Sequence, residues 1–178
     1  MISLISSSLP YIVLFFHIVF VFLLLALFFR NSWGRDTILW LGRHAIFLVF
    51  AVSLIAVLGS LFYSEIMGFE PCVLCWWQRV FLYPLVILFA LALQKRDSSV
   101  FTYAIYLALF AAVISTYQSY VYLGGISILS CTALDSACSK VYVKEFGYIT
   151  IPMMSLTVSL YILLIAWAHR IYDKNRNT

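Results

Sequence analysis

Five stretches of this chain are long, continuous and apolar: Pro10–Phe29, Ala45–Tyr63, roughly Val73–Leu93, Val100–Leu123 and Met153–His169. A helix needs ~20 predominantly apolar residues to cross the hydrocarbon core of a bilayer, and each stretch reaches or approaches that length. The apolar residues do not alternate with polar ones, which argues against a transmembrane barrel. Between the stretches lie only short connections, none long enough for a separate soluble domain. Composition points the same way. Of the 178 residues, 65% are hydrophobic and 10% are charged, against about 25% charged in a typical soluble domain. So few charges could not cover so much apolar surface, so a soluble globular enzyme is excluded, as are disorder, collagen and coiled coil. The chain is expected to be an all-α integral membrane protein without internal repeats, working through short loops and side chains inside the bilayer.

The basic residues give an orientation. Arg30, Arg35 and Arg43 lie between the first two stretches, Lys95 and Arg96 between the third and fourth, and Arg170, Lys174 and Arg176 after the fifth. The other connections hold only Arg79, Lys140 and Lys144. Positive residues concentrate on the cytoplasmic side of membrane proteins, so the expected arrangement has the N-terminus outside and the C-terminus in the cytoplasm. The net charge of +4 reflects these anchors, and no nucleic-acid partner is implied. Two segments then face outward, Ser64–Cys75 and Gly124–Pro152, and they contain all four cysteines: Cys72, Cys75, Cys131 and Cys138. An oxidising outer face permits disulfides. The first stretch is expected to be a retained span rather than a signal peptide. No Lys or Arg precedes it, its apolar run is too long, and no A-x-A site follows.

The sharpest local pattern is Glu70-Pro71-Cys72-Val73-Leu74-Cys75-Trp76-Trp77-Gln78-Arg79. Pro71 suits the first turn of a helix, which puts Cys72 and Cys75 one turn apart at its positive N-terminal end, where a thiolate is favoured. That geometry serves reversible disulfide chemistry; a buried structural pair or a palmitoylation site is the blander reading. Cys131 and Cys138 follow the helix-breaking Gly124-Gly125 on a loop that can project toward a soluble partner or fold back on the bilayer. On spacing alone, a static staple and a redox pair are equally compatible with them. A four-cysteine zinc site is chemically possible, but the gap in the second pair is wide and an oxidising face disfavours four thiolates, so no metal is expected. Arg79 lies four residues after Cys75, on the same helical face and ~6 Å deeper. The stripe Cys72, Trp76, Arg79 and Tyr83 would suit a quinone head group, with the guanidinium bonding a quinone oxygen. The alternative is an arginine snorkelling to the headgroups beside Trp76 and Trp77. His17 is expected to be a tolerated packing residue without a partner, and Gln118, Ser115 and Thr116 to be interhelical hydrogen-bond glue. Pro84 is expected to kink the third span by freeing the Val80 carbonyl, and Gly42, Gly59 and Gly68 to serve turns or close packing.

At these residues the chain resembles the DsbB family of bacterial disulfide-bond formation proteins. The resemblance is carried by Pro71-Cys72-Val73-Leu74-Cys75-Trp76-Trp77-Gln78-Arg79 and by a second external cysteine pair two spans later. Cys138-Ser139-Lys140 and Phe146-Gly147-Tyr148-Ile149-Thr150-Ile151-Pro152 look closest to the BdbC branch. It covers roughly Ala45 to His169. It implies a four-helix transmembrane bundle, here over 45–178; the N-terminal transmembrane helix and cytoplasmic loop expected in 1–44 are extra relative to that core and depart from the family pattern. It also implies a thiol:quinone oxidoreductase of the bacterial cell membrane. Such an enzyme reoxidises a soluble, DsbA-like thioredoxin-fold thiol oxidase and passes the electrons to ubiquinone or menaquinone. Carried over by motif, Cys72 and Cys75 are the quinone-proximal pair, with Cys75 facing the quinone. Arg79 is the quinone-site arginine, with Trp76 and Gln78 beside it in the cofactor-binding set. Cys131 and Cys138 are the partner-facing pair, with Cys131, by order alone, forming the mixed disulfide. Gln78 stands where many relatives carry a glutamate, so no acid role transfers. The related vitamin K epoxide reductases place the loop pair before the C-x-x-C, the reverse of the order here. A structural membrane protein with static disulfide staples remains the rival reading; a transporter would need paired intramembrane charges that the spans lack.

Overall fold

The computed structural model describes residues 2–28, 32–126 and 142–176. Six α-helices are formed among them: α1 (Ile2–Phe28), α2 (Ser32–Arg43), α3 (Ala45–Leu61), α4 (Val73–Lys95), α5 (Val100–Tyr122) and α6 (Ile151–Arg176). A five-residue π-helical extension, Phe62–Ile66, prolongs α3. The β contact among the described residues is an isolated antiparallel bridge between Glu145 and Ile149. By length and composition, α3 with its extension, α4, α5 and α6 can each cross a membrane, while the apolar stretch Pro10–Ala26 of α1 is shorter. The expected all-α membrane bundle with an additional N-terminal helix is therefore the observed architecture. The boundaries differ at two places. α1 begins ahead of Pro10, which lies inside it, and α6 continues past His169 to Arg176.

α3, α4, α5 and α6 pack in sequence around a ring that α6 closes against α3, with α4 and α6 touching only weakly across the diagonal. Small residues make this closeness possible, since lipid tails give apolar helices no hydrophobic drive to associate and close backbone approach must supply the packing. Ala104, Ala108, Ala111 and Ser115 form a fully buried stripe on α5. Spaced three and four apart, they occupy one face. Leu85 and Phe89 of α4 and Ile162 and Ala166 of α6 fill the same interior. Large apolar side chains such as Phe47, Ile55, Ile87, Phe110 and Trp167 point outward, a distribution that suits lipid and would aggregate in water.

The connection between the first two apolar stretches is itself helical, which the sequence reading does not anticipate. α2 buries Gly34, Ile38, Leu41 and Gly42 and exposes Arg35, Asp36 and Arg43. That is the spacing of an amphipathic helix lying along a surface. It docks mainly on α6. At Gly42 a methyl group would collide with Tyr172 Cβ and stand 2.8 Å from the Ala168 carbonyl oxygen. The Gly42 carbonyl itself lies 3.1 Å from His169 Nδ1, and the His169 ring stacks on Phe101 at 4.4 Å.

His17 is a correction. Its Nε2 lies 2.7 Å from Thr157 Oγ1 of α6, and its Nδ1 lies 3.4 Å from the Tyr148 hydroxyl. The Tyr161 hydroxyl donates to the Phe16 carbonyl, and Tyr11 packs edge-on against Phe146 at 5.3 Å. α1 is thus tied to α6 and to the turn that precedes it.

Candidate functional site

The site begins where α3 ends. Gly68 adopts a left-handed backbone (φ 69°), which costs a glycine little, and this reverses the chain. Phe69 donates its N–H to the Tyr63 carbonyl at 3.0 Å. Its ring lies between those of Tyr63 (5.9 Å) and Tyr142 (4.6 Å). This aromatic stack joins the segment before α4 to the segment before α6 at one end of the bundle. Cys72 is the N-cap of α4, with extended backbone (φ −72°, ψ 169°), and its carbonyl accepts from the Trp76 N–H at 3.0 Å. The helix therefore starts after Cys72, and Pro71 stands just before the cap rather than in the first turn. Cys75 falls in that first turn, one residue after Leu74.

The two sulfurs stand 3.1 Å apart, with Cys72 Sγ–H donating to Cys75 Sγ. A third group meets both of them. Gln118 of α5 directs Nε2 at Cys72 Sγ (3.2 Å) and Cys75 Sγ (3.4 Å), and its Oε1 accepts from Gln78 Nε2 at 2.7 Å. Gln118 does join helices as expected, bridging α5 to α4, but its amide nitrogen ends on the cysteine pair, which the sequence reading misses. The signal was its position: Gln118 extends the stripe Ala104, Ala108, Ala111, Ser115 by three residues, so it had to enter the interior near the start of α4. Ser115 links α5 to α6 through Ser155 (3.1 Å). Thr116 instead bonds the Ala112 carbonyl of its own helix (2.7 Å).

Arg79 reaches across to α3. Its Nε donates to Ser60 Oγ (3.0 Å) and its Nη2 to the Ser60 carbonyl (3.3 Å). The guanidinium carbon lies 5.2 Å from the Trp76 ring centre and 6.0 Å from that of Tyr83, within range of cation–π attraction.

Cys72, Cys75, Gln78, Arg79 and Tyr83 all line one predominantly apolar cavity of about 280 Å³. α3 contributes Ala56, Gly59 and Ser60; α6 contributes Met154, Val158 and Tyr161; α1 contributes Ile12, Val13 and Phe16. The Tyr83 hydroxyl is buried with no hydrogen-bond partner. Of the residues singled out from sequence, the structure brings Cys72, Cys75, Gln78 and Arg79 together on this wall. Trp76 lies outside it, half exposed, beneath the Arg79 guanidinium. Cys131 and Cys138 lie outside the described residues.

The family model described as disulfide bond formation protein DsbB matches residues 42–169. Among curated relatives, probable disulfide formation protein C 1 of Bacillus anthracis is 40% identical over 119 residues, spanning 64% of this chain and 83% of its own. The SPbeta prophage-derived disulfide bond formation protein B of Bacillus subtilis is 40% identical over 108 residues, spanning 61% of this chain and 73% of its own. A probable disulfide formation protein of Metapseudomonas resinovorans is 35% identical over 124 residues, covering 68% and 86% respectively. No solved structure matches. The family match begins at residue 42, leaving α1 and nearly all of α2 outside it.

Proposed function

Because the chain belongs to the DsbB family of disulfide-bond formation proteins, we propose that it is a thiol:quinone oxidoreductase that reoxidises a soluble, extracytoplasmic thioredoxin-fold dithiol oxidase. The observation that carries this reading is the shared apolar cavity, which Cys72, Cys75 and Arg79 all line. The residues fit a quinone. The walls are apolar, the Arg79 guanidinium offers donors to a carbonyl oxygen, and the buried Tyr83 hydroxyl lacks a partner. Arg79, Tyr83 and Gln78 would hold the head group, with Cys75 nearest the reacting atoms.

The thermodynamics supports such an acceptor. Periplasmic dithiol oxidases can have potentials of about −120 mV, well above the thioredoxin and glutathione couples. Their regeneration therefore needs a more oxidising sink, which a quinone supplies by taking up two electrons and two protons. The protein's own part is thiol exchange. Cys131 and Cys138 are proposed to accept electrons from the partner's dithiol through a mixed disulfide at Cys131. They then reduce the Cys72–Cys75 disulfide, leaving Cys75 as the sulfur presented to the cavity. Arg79 orients the acceptor and offsets its developing charge. The apolar walls keep water from the reacting sulfur.

The test is direct. The purified protein is reduced, freed of reductant and mixed with a short-chain ubiquinone or menaquinone analogue, while thiol content and quinol absorbance are followed together. One disulfide should form per quinol produced. Static staples would leave the thiols unchanged and no quinol, and that result would overturn the proposal.

A further inference from the structure

We infer that Gln118 is a further catalytic residue of the thiol chemistry and that Gln78 positions it, the two carboxamides together stabilising the reduced form of the Cys72–Cys75 pair. This rests on the reading of Cys72 and Cys75 as a redox couple. Burial comes first. Gln118 is 0% exposed and Gln78 5%, in a bundle interior whose other buried polar side chains are small Ser and Thr hydroxyls. A carboxamide has two donors and two acceptor lone pairs, and burying them unpaired is costly. Two such groups side by side are retained only where their partners are specific.

The geometry names those partners. Gln78 Nε2 donates to Gln118 Oε1, which fixes the oxygen end of the Gln118 amide on Gln78 and leaves its NH₂ directed at the start of α4. That NH₂ carries two hydrogens, and two sulfurs lie 3.2 and 3.4 Å from its nitrogen. A donor aimed at sulfur discriminates between redox states. Neutral disulfide sulfurs accept hydrogen bonds weakly, whereas an anionic sulfur accepts them strongly. Reduction of the Cys72–Cys75 disulfide by two electrons and one proton, supplied by thiol exchange with a dithiol, breaks the S–S bond and leaves one thiol and one thiolate. The observed Cys72 Sγ–H to Cys75 Sγ contact together with the Gln118 amide is complementary to a thiolate on Cys75. The amide thereby draws electrons onto this pair and holds the product sulfur at the cavity. A role as mere interhelical glue would need only the Gln78–Gln118 bond and would be indifferent to the sulfurs.

The experiment measures the potential of the pair in the full chain carrying Cys131→Ser and Cys138→Ser, equilibrated in dithiothreitol buffers without quinone. Gln118→Met keeps length and loses the donors. It should lower the equilibrium constant for reduction roughly 10- to 100-fold, the loss expected for a hydrogen bond to a charged group, or ~30–60 mV toward more reducing values. Gln118→Glu keeps the size and the acceptor for Gln78 but puts negative charge against the sulfurs, and should shift the potential at least as far. It also covers the case in which Gln118→Met does not fold. Gln78→Met should give a smaller shift in the same direction. Combined with Gln118→Met it should add nothing, because both changes act through one amide. Potentials that stay at the parent value in both Gln118 variants, with only a lowered melting temperature, would overturn the inference, as would additive shifts from the two glutamines. The quinone reading fails separately, if the reduced parent chain does not form quinol while the Gln118 shift persists.

Discussion

Arg79 is an ionisable side chain well inside an apolar helix, and its neighbours decide what it can do. It bonds the hydroxyl and carbonyl of Ser60 on α3, lies within cation–π range of Trp76 and Tyr83, and lines the cavity. Arg79→Met keeps the apolar stem and deletes the donors. A lost hydrogen bond to a charged group costs ~1.5–3 kcal/mol, equivalent to roughly 10–150-fold in apparent affinity. The variant should raise the KM for quinone by that factor. Its single-turnover exchange with a reduced thiol partner, measured without quinone, should stay near the parent rate. Ser60→Ala separates the two duties of the guanidinium. It removes the side-chain acceptor on α3 while leaving the charge, so it should lower thermal stability modestly and leave quinone KM within a few-fold. An unchanged KM in Arg79→Met would assign the residue to helix pairing alone.

Among the elements, α6 does the organising, since it packs against each of the other five helices. Its contact with α2 depends on Gly42, where the backbone lies so close to Tyr172 and Ala168 that no side chain fits. Gly42→Val would force the helices apart and break the approach of His169 to the Gly42 carbonyl. Overpacking of this kind costs typically ~1–3 kcal/mol. The melting temperature in detergent should fall, while Gly59→Ala, at a site with nothing within 4 Å of an added methyl, should be near neutral. Equal melting temperatures for the two variants would show that α2 does not depend on this contact. On the other side, α1 closes part of the cavity with Ile12, Val13 and Phe16 and is pinned by His17 and Phe16 to α6. The cavity is therefore built from more than the four-helix core that the family match covers.

At the scale of the molecule, the bundle has two chemically distinct ends. One carries Cys72, the Tyr63–Phe69–Tyr142 stack and the Glu145–Ile149 turn. The other carries Arg43, Lys95, Arg96 and Arg170, with a connection in which Asp97 accepts from the Ser99 N–H and hydroxyl (both 2.9 Å). Those bonds, the backbone one foremost, hold the Asp97 carboxyl below its usual range. A depressed carboxyl favours folding above its unfolded pKa and loses that contribution as pH falls through the folded one, so only acid conditions would loosen this turn. The orientation proposed from charge, with the cysteine end outward, has its own test. After reduction, an impermeant maleimide added to intact cells, or to spheroplasts where an outer membrane is present, should label Cys131 and Cys138. Cys72 should label slowly, being buried. Labelling confined to inverted vesicles would reverse the orientation and remove the proposed partner.

The helices, their approximate limits and the membrane class followed from sequence because the length of an apolar run fixes them one segment at a time. The start of α4 was legible to within two residues because Pro71, with its fixed φ and missing N–H, is tolerated at the beginning of a helix and not in its interior. α2 was not foreseen, since a short amphipathic segment among charged residues looks like a connection until a neighbour gives its apolar face somewhere to pack. Helical spacing told which residues share a face, as with Cys75 and Arg79, but not what that face meets. Only the tertiary packing set Gln118 of α5 against both sulfurs of α4, Ser60 of α3 against Arg79, and Phe16 of α1 into the same cavity wall. These pairs are 43 and 19 positions apart or further, and no local preference encodes which of several apolar helices will lie side by side.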